Sequence, residues 1–136
     1  MTIAYVDSSA ISKLVHEEDG SDELDAYLSE CVVVSSDLVL TEVVRGVRRV
    51  ADDTGTDLGD LLEQTMSTME HMTLINASTR IFAEAGALPG GYLRSLDAVH
   101  VATAAVLGDV DVFVTYDERQ AAAARLAGFR TISPGV

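Results

Sequence analysis

Short apolar runs alternate with longer amphipathic stretches along almost the whole chain. The short runs are rich in β-branched residues and favour buried strands, whereas the longer stretches repeat their apolar positions at helical spacing. Strands are predicted at residues 2–6, 31–34, 72–75, 112–115 and 130–132. Helices are predicted at residues 10–16, 24–28, 39–50, 58–69, 78–86, 95–106 and 118–126. This alternation predicts an α/β fold, in which a mostly parallel central sheet carries helices on both faces.

The stretch Ser95–Val106 differs from the others because nearly every residue in it is apolar. A helix of this composition is buried on most sides rather than along one stripe. Ser95 is the predicted N-cap, which places Asp97 in the first turn, where a carboxylate suits the exposed N–H groups. Taken alone, Asp97 is most simply a capping residue. A metal-ligating role becomes the better interpretation only if other acidic side chains meet it.

Length and composition indicate one domain that spans residues 1–136 and is large enough to enclose a single core. The hydrophobic fraction of 48% excludes a disordered chain. Cys31 is the only cysteine, so neither a disulfide framework nor a cysteine metal site is available. No basic segment followed by a long apolar run marks a signal peptide, and the longest apolar run is too short to span a bilayer. We therefore expect a cytoplasmic protein with no membrane contact.

The charge balance is unusual, with 9 basic against 22 acidic residues, a net charge of −13 and a single lysine, Lys13. Taken at face value, this argues against a nucleic-acid partner, because phosphate binding relies on lysine and arginine. A coat of acidic side chains also keeps proteins soluble in concentrated salt, so a halophilic source is the alternative. Under this second interpretation, which we prefer, net charge says little about the substrate and the local placement of arginines says more.

Acidic residues stand at four junctions where strands or loops lead into helices. Asp7 follows the first strand, and Asp117 follows the strand that ends at Thr115. Glu42 lies in the second turn of the helix after the second strand, and Asp97 opens the central helix. Because functional side chains gather at the carboxyl ends of parallel strands, we expect these four acids to meet at one edge of the sheet. Unpaired carboxylates are costly to bury, a cost that a divalent cation removes, and oxygen ligands favour Mg²⁺ or Mn²⁺.

Four segments of the chain together resemble the PIN-domain ribonucleases, and specifically the VapC-type toxins of toxin–antitoxin pairs. The segments are Val6-Asp7-Ser8-Ser9, Leu40-Thr41-Glu42-Val43-Val44-Arg45-Gly46, Leu96-Asp97-Ala98-Val99-His100 and Thr115-Tyr116-Asp117. The resemblance implies a three-layer α/β/α sandwich and a Mg²⁺ or Mn²⁺ site formed by the four acids. It also implies a metal-dependent endoribonuclease that hydrolyses phosphodiester bonds in RNA and acts as a toxin.

The chemistry assigns a role to each polar residue near this site. Asp7, Asp97 and Asp117 are expected to hold the metal, and Glu42 to ligate it directly or through water. A divalent ion activates water as a nucleophile and neutralises charge on the phosphate, so no further general acid is required.

Hydroxyl groups and one histidine are expected to support the acids. Ser8 and Thr115 have hydroxyls at the rim of the pocket and are assigned supporting roles. His100 lies one turn after Asp97 on the same face of the helix. We favour a core or supporting histidine over a general acid.

Two arginines are candidates for contact with the RNA. Arg45 and Arg49 lie three and seven positions after Glu42, so a helix presents them on the same face as this acid, whereas Arg48 points elsewhere. Phosphate contacts and ordinary surface positions are equally good interpretations of these two side chains.

The resemblance further implies an antitoxin partner and a homodimer. A site of converging carboxylates is complementary to a guanidinium group, so an antitoxin arginine inserted there would displace the metal and block the scissile phosphate. Apolar antitoxin residues are expected in the groove beside the first three helices, near His16 and Tyr27.

Three other functions also use acidic residues at strand ends or a bound cation. A phosphate-accepting receiver domain needs a lysine beyond a later strand, and Lys13 is the only lysine. A haloacid-dehalogenase-type phosphatase needs a second aspartate two residues after Asp7, where Ser9 stands. The remaining alternative is a cation-binding α/β domain that sequesters a partner without cleaving RNA.

Overall fold

The computed structural model describes residues 1–136 and contains five strands and seven helices. In chain order they are β1 Thr2–Val6, α1 Ser8–Val15, α2 Ser21–Leu28, β2 Cys31–Ser36, α3 Val39–Thr54, α4 Leu58–Glu70, β3 Thr73–Ile75, α5 Thr79–Ala87, α6 Ser95–Leu107, β4 Val112–Val114, α7 Glu118–Leu126 and β5 Thr131–Ile132. The predicted strands and helices are all present. None of the helices combines the length and the apolarity that crossing a membrane requires.

All five strands are parallel and form one sheet in the order β3-β2-β1-β4-β5. The sheet grows from β1 through β2 to β3 on one side, and then the chain returns to add β4 and β5 on the other side. Parallel α/β sheets bind ligands at the carboxyl end of the strands where the strand order reverses, which here is the crevice between β1 and β4. In this pair Val6 lies beside Val114, so Asp7 and Thr115 are neighbours directly beyond the strand ends.

Alternation along the strands divides the core into two layers of apolar side chains. Ala4 and Val6 of β1 pack with α1, α2, α3 and α4 on one face of the sheet. Tyr5 points to the other face, where it packs with Phe113, α6 and α7, and α5 extends this layer against α6. Side chains that alternate along a strand point to opposite faces, so both faces of the sheet are covered by helices. The predicted α/β/α sandwich with a parallel sheet is therefore confirmed.

Helix α6 is buried on nearly all sides, as its composition predicts. Every residue from Ala98 to Ala104 is buried, including the polar residues His100 and Thr103. The predicted cap is wrong by one residue: the N-cap is Arg94, and the Ser95 side chain makes no capping bond. The carbonyl of Arg94 accepts a hydrogen bond from the Ala98 amide at 2.9 Å, which draws Ser95 into the helix. Asp97 nevertheless lies in the first turn.

Helix α1 also begins earlier than its apolar pattern indicates. The predicted start is residue 10, whereas the helix begins at Ser8 with Asp7 as its N-cap. The Asp7 side chain accepts a hydrogen bond from the Ala10 amide, so the first turn is organised by a side chain rather than by apolar spacing.

Candidate active site

Asp7 is a buried carboxylate held by three hydrogen bonds. Its side chain is only 3% exposed, directly after β1. The Oδ1 atom accepts from the Ser9 hydroxyl at 2.6 Å and from the Ala10 amide at 3.1 Å, and Oδ2 accepts from the Thr115 hydroxyl at 2.5 Å. Burial raises the pKa of Asp7, and the three hydrogen bonds oppose that rise. The site therefore contains an acid whose charge is stabilised only in part by the protein.

Asp117 lies beside Asp7 because Thr115 connects the two. The Thr115 hydroxyl donates to Asp7 and accepts from the Asp117 amide at 3.1 Å. Asp117 is the N-cap of α7, and its Oδ1 atom accepts from the Arg119 and Gln120 amides at 2.9 and 3.0 Å. Both Asp7 and Asp117 are thus helix caps. Capping does not exclude ligation, since a carboxylate has two oxygens and Oδ2 of Asp117 makes no hydrogen bond within the chain.

Asp97 lies near acids that come from other elements. This carboxylate is half-buried in the first turn of α6 and makes no side-chain hydrogen bond within the chain. Burial is the largest cause of its raised pKa, and the negative charge of Asp117 raises that pKa further. Asp7 and Glu42 also raise the pKa of Asp97, while His100 lowers it. The other three acids predicted from sequence therefore lie near enough to Asp97 for their charges to raise its pKa.

A chain of hydrogen bonds positions Glu42 from the interior of the protein. Nε2 of His100 lies 2.6 Å from Oε1 of Glu42, and Nδ1 of the same ring lies 2.7 Å from the Tyr5 hydroxyl. Tyr5 and His100 are fully buried, and burial raises the pKa of Tyr5 far above its usual range. With a neutral ring that carries its proton on Nε2, Tyr5 donates to Nδ1 and Nε2 donates to Glu42, so both ring nitrogens are paired.

The oxygen atoms at this site fit a divalent cation by their chemistry. No group of three or more acidic, histidine or cysteine side chains in this structure is arranged so that it could hold a metal ion as it stands. Several carboxylate oxygens nevertheless make no hydrogen bond within the chain: both of Asp97, Oε2 of Glu42 and Oδ2 of Asp117. Hard cations such as Mg²⁺ and Mn²⁺ take carboxylate oxygens, and a positive charge would relieve the repulsion at Asp97.

Sequence reasoning missed one hydroxyl group at the site. The Ser8 side chain makes no hydrogen bond within the chain, and its supporting role stays a prediction. Ser9 instead donates to Asp7, lies 3.3 Å from the Thr115 hydroxyl and accepts from the Tyr116 amide at 2.9 Å. The signal was available, because a serine two residues after an N-cap aspartate can bond back to that side chain.

The three arginines of α3 are exposed and make no salt bridge. They are Arg45, Arg48 and Arg49, and the two ion pairs in the structure are Lys13–Glu18 and His100–Glu42. Because α3 is continuous from Val39 to Thr54, the helical spacing from Glu42 to Arg45 and Arg49 applies as predicted.

The raised pKa values of Asp7 and Asp97 predict how the stability of the metal-free protein depends on pH. An acid whose pKa is raised by folding binds protons more readily in the native than in the unfolded state. Its contribution to the free energy of unfolding therefore rises as the pH falls through the raised pKa toward the ordinary value of 3.8.

We expect Asp97→Asn to be more stable than the parent at pH 7, and this margin to shrink as the pH is lowered to 5. Urea unfolding in EDTA at both pH values measures the margin. Asp22→Asn is the matched control, because Asp22 is an exposed aspartate in the first turn of α2. A margin that is constant or grows toward acid would contradict the repulsion at Asp97.

Comparison with known proteins gives consistent matches over nearly the whole chain. The family model described as PIN domain matches residues 4–126. Ribonuclease VapC46 of Mycobacterium tuberculosis is 37% identical to this chain, over 98% of the chain and 99% of that protein.

Solved structures match at the level of fold. VapBC2 from Rickettsia felis, bound to a DNA fragment from its promoter, has a TM-score of 0.73 at 13% identity, over 98% of this chain and 99% of that chain. A toxin–antitoxin complex from Klebsiella pneumoniae has a TM-score of 0.68 at 21% identity, over 96% and 97% of the two chains.

Proposed function

The chain belongs to the PIN-domain family, and from this premise we propose that it is an endoribonuclease, the RNA-cleaving toxin of a toxin–antitoxin pair. The similarity to a ribonuclease extends over 98% of the chain. The observation that carries the proposal is the acid cluster of Asp7, Glu42, Asp97 and Asp117. Thr115 joins Asp7 to Asp117, and His100, on the same helix as Asp97, contacts Glu42. A protein keeps such an arrangement at a cost in stability, which is typical of a site that binds a positive ion.

The proposed metal ligands are Asp7, Asp97 and Asp117, with Glu42 as a ligand directly or through water. When bound, Mg²⁺ or Mn²⁺ supplies an activated water and neutralises the charge that develops on the phosphate. The protein contributes the orientation of the oxygens. Thr115 and Ser9 hold Asp7 from two sides, and His100 holds Glu42, so neither carboxylate can rotate freely.

Cleavage of RNA by the purified protein tests the proposal. We expect a 5′-labelled RNA to be cut internally when Mn²⁺ or Mg²⁺ is present and to remain intact in EDTA. Intact RNA in the presence of a cation that binds the protein would favour the alternative, a cation-binding domain that sequesters a partner without cleaving RNA.

Arg45 and Arg49 are proposed to contact RNA phosphates, whereas Arg48 is not. Arg45→Ala and Arg49→Ala should each weaken RNA binding and reduce the slope of log affinity against log salt concentration by about 0.7. Arg48→Ala is the matched control, since it removes an equally exposed charge from the same helix. Fluorescence anisotropy at several salt concentrations measures both quantities, and equal losses in all three variants would contradict the positional argument.

The proposed partners are an RNA substrate and a cognate antitoxin. The support for an antitoxin comes from the fold shared with VapBC2 and with the Klebsiella pneumoniae toxin–antitoxin complex. A homodimer, a cytoplasmic location and a single domain over residues 1–136 stay predictions.

An antitoxin arginine is proposed to occupy the same acid cluster as the cation. Rising Mn²⁺ should then weaken antitoxin binding, and Asp97→Asn should weaken it at least about tenfold, because a hydrogen bond between charged groups is lost. Titration calorimetry with the antitoxin at increasing Mn²⁺ gives the affinities. An affinity that is unchanged at saturating metal, and unchanged again in Asp97→Asn, would exclude a shared site.

A further inference from the structure

A cavity of about 560 Å³ lies between the loop before α6 and one side of α7 along its length. We call it the side groove. Its walls include Tyr92 and Leu93 from the loop and Arg119, Ala122 and Leu126 from α7. None of these residues belongs to the acid cluster, and only the backbone amide of Arg119, which donates to Asp117, has a role in the site described above.

The side groove begins where the acid cluster ends. On one wall the loop leads into α6 through its N-cap Arg94, and Asp97 follows in the first turn. On the other wall the Arg119 amide donates to Oδ1 of Asp117 at 2.9 Å. Both walls therefore lie next to helix N-termini that carry proposed metal ligands, Asp97 in the first turn of α6 and Asp117 as the N-cap of α7.

Tyr92 is an aromatic side chain left entirely in solvent. It is 101% exposed, and its hydroxyl makes no hydrogen bond within the chain. The other three tyrosines are buried or half-buried: Tyr5, Tyr27 and Tyr116. Exposed aromatic rings beside a polyanion site are typical stacking platforms for unpaired bases, because every base has a π-face.

The groove also carries positive charge that the rest of the protein does not neutralise. Arg119 lines it and Arg94 lies next to it, both exposed and without an ion pair. None of the arginines in the protein makes an ion pair, so what distinguishes Arg94 and Arg119 is their position beside the acid cluster. Gly90 and Ala122 also line the groove, and neither has a long side chain to fill it.

We propose that the side groove binds an unpaired nucleotide of the RNA next to the scissile phosphate. Tyr92 stacks on the base, and the Arg119 guanidinium binds a phosphate of the same segment. This assignment rests on the proposed function and deepens it, because it names the groove and the residues that hold the nucleotide beside the scissile phosphate. A base in a duplex is already stacked and paired, so it cannot stack on Tyr92 without being extruded.

Binding measurements separate stacking from charge. The parent for this test is Asp97→Asn in Mn²⁺, which keeps the RNA intact, and the probe is a labelled ten-nucleotide single strand or the same sequence as a duplex. Tyr92→Ala should weaken single-strand binding roughly tenfold, and Tyr92→Phe should restore it. Arg119→Ala should lower the salt slope by about 0.7.

Two control variants and the duplex make this result specific. Phe82→Ala removes another exposed aromatic side chain, from α5, and should leave binding unchanged, as should Arg48→Ala. An equal loss for single strand and duplex in Tyr92→Ala would overturn the stacking assignment. Loss of antitoxin binding with RNA binding unaffected would also overturn it, because the groove would then bind a protein.

Abasic nucleotides locate the base that Tyr92 contacts. With one abasic position placed in turn along the single strand, one position beside the cleavage site should weaken binding about as much as Tyr92→Ala does. At that position the two changes together should be no worse than either alone. If the effects add at every position, no base stacks on Tyr92.

Binding and cleavage by the wild-type protein and by Tyr92→Ala distinguish an error in the groove assignment from an error in the proposed nuclease function. If the wild-type protein cleaves RNA and Tyr92→Ala binds and cleaves equally well, the groove assignment is wrong and the nuclease stands. If the wild-type protein neither binds nor cleaves RNA in Mn²⁺, both are wrong.

Discussion

Asp97→Asn is expected to abolish RNA cleavage while the protein stays folded. The Asp97 side chain makes no hydrogen bond within the chain, and three nearby carboxylates raise its pKa, so its replacement removes a proposed ligand without breaking a structural contact. The loss of rate should exceed about a hundredfold, because even residues that merely orient a metal ligand contribute about 10- to 100-fold. The measurement is the initial rate of cleavage of a labelled RNA at saturating Mn²⁺, with circular dichroism as the check of folding.

Substitutions of two other acids of the site, and of one exposed aspartate elsewhere, make the expected loss of cleavage more specific. Asp117→Asn should lose cleavage and keep α7 intact, since asparagine caps helices about as well as aspartate. Asp7→Asn should lose cleavage and also some stability, because the Ser9 and Thr115 hydroxyls and the Ala10 amide all donate to this carboxylate. Asp22→Asn, the exposed first-turn control, should retain full activity. Full activity in Asp97→Asn would remove this residue from the proposed metal site.

Addition of Mn²⁺ to the metal-free protein should raise its thermal stability substantially. A ligand at 100 times its Kd stabilises the native state by about 2.7 kcal/mol, which corresponds to a rise in Tm of roughly 10 °C for a chain of this size. The cation should stabilise this protein in particular because it neutralises the repulsion among Asp97, Asp117, Asp7 and Glu42. Differential scanning calorimetry with and without Mn²⁺ at low ionic strength measures the shift.

The same shift should largely disappear in Asp97→Asn and persist in Asp22→Asn. The net charge of −13 attracts cations everywhere on the surface, so the comparison of these two variants separates one site from general screening. An equal rise in Tm for both variants would mean that Mn²⁺ acts through the surface charge and not at the acid cluster.

The hydrogen bonds of His100 explain why this polar ring can be buried in an apolar helix, which composition alone does not indicate. A polar ring inside an otherwise apolar helix is costly unless both nitrogens are paired, and here Tyr5 and Glu42 pair them. The ring thereby connects the core to the site and restrains Glu42, whose side chain is 18% exposed. The preference for a core or supporting histidine agrees with this position.

Much of the architecture was contained in local sequence patterns. Apolar runs such as Thr2–Val6 and the all-round apolar helix Ser95–Leu107 were predictable, because burial of periodic apolar side chains determines which elements form. The positions of Asp7 and Asp117, each directly after a strand, were equally local. Parallel strands then bring such positions to one edge in any fold of this class.

Only the tertiary structure decided which side chains meet there and how each is held. Tyr5 and His100 are separated by 95 residues, and His100 and Glu42 by 58, so no local pattern relates them. Thr115 reaches Asp7 across 108 residues because β4 was added beside β1 rather than beside β3. The same strand order sets α7 beside the loop before α6 and so creates the side groove. Sequence periodicity determines which face of an element is buried. The partners of a polar side chain depend instead on strand order and register, and these are determined by contacts between segments that are distant in sequence.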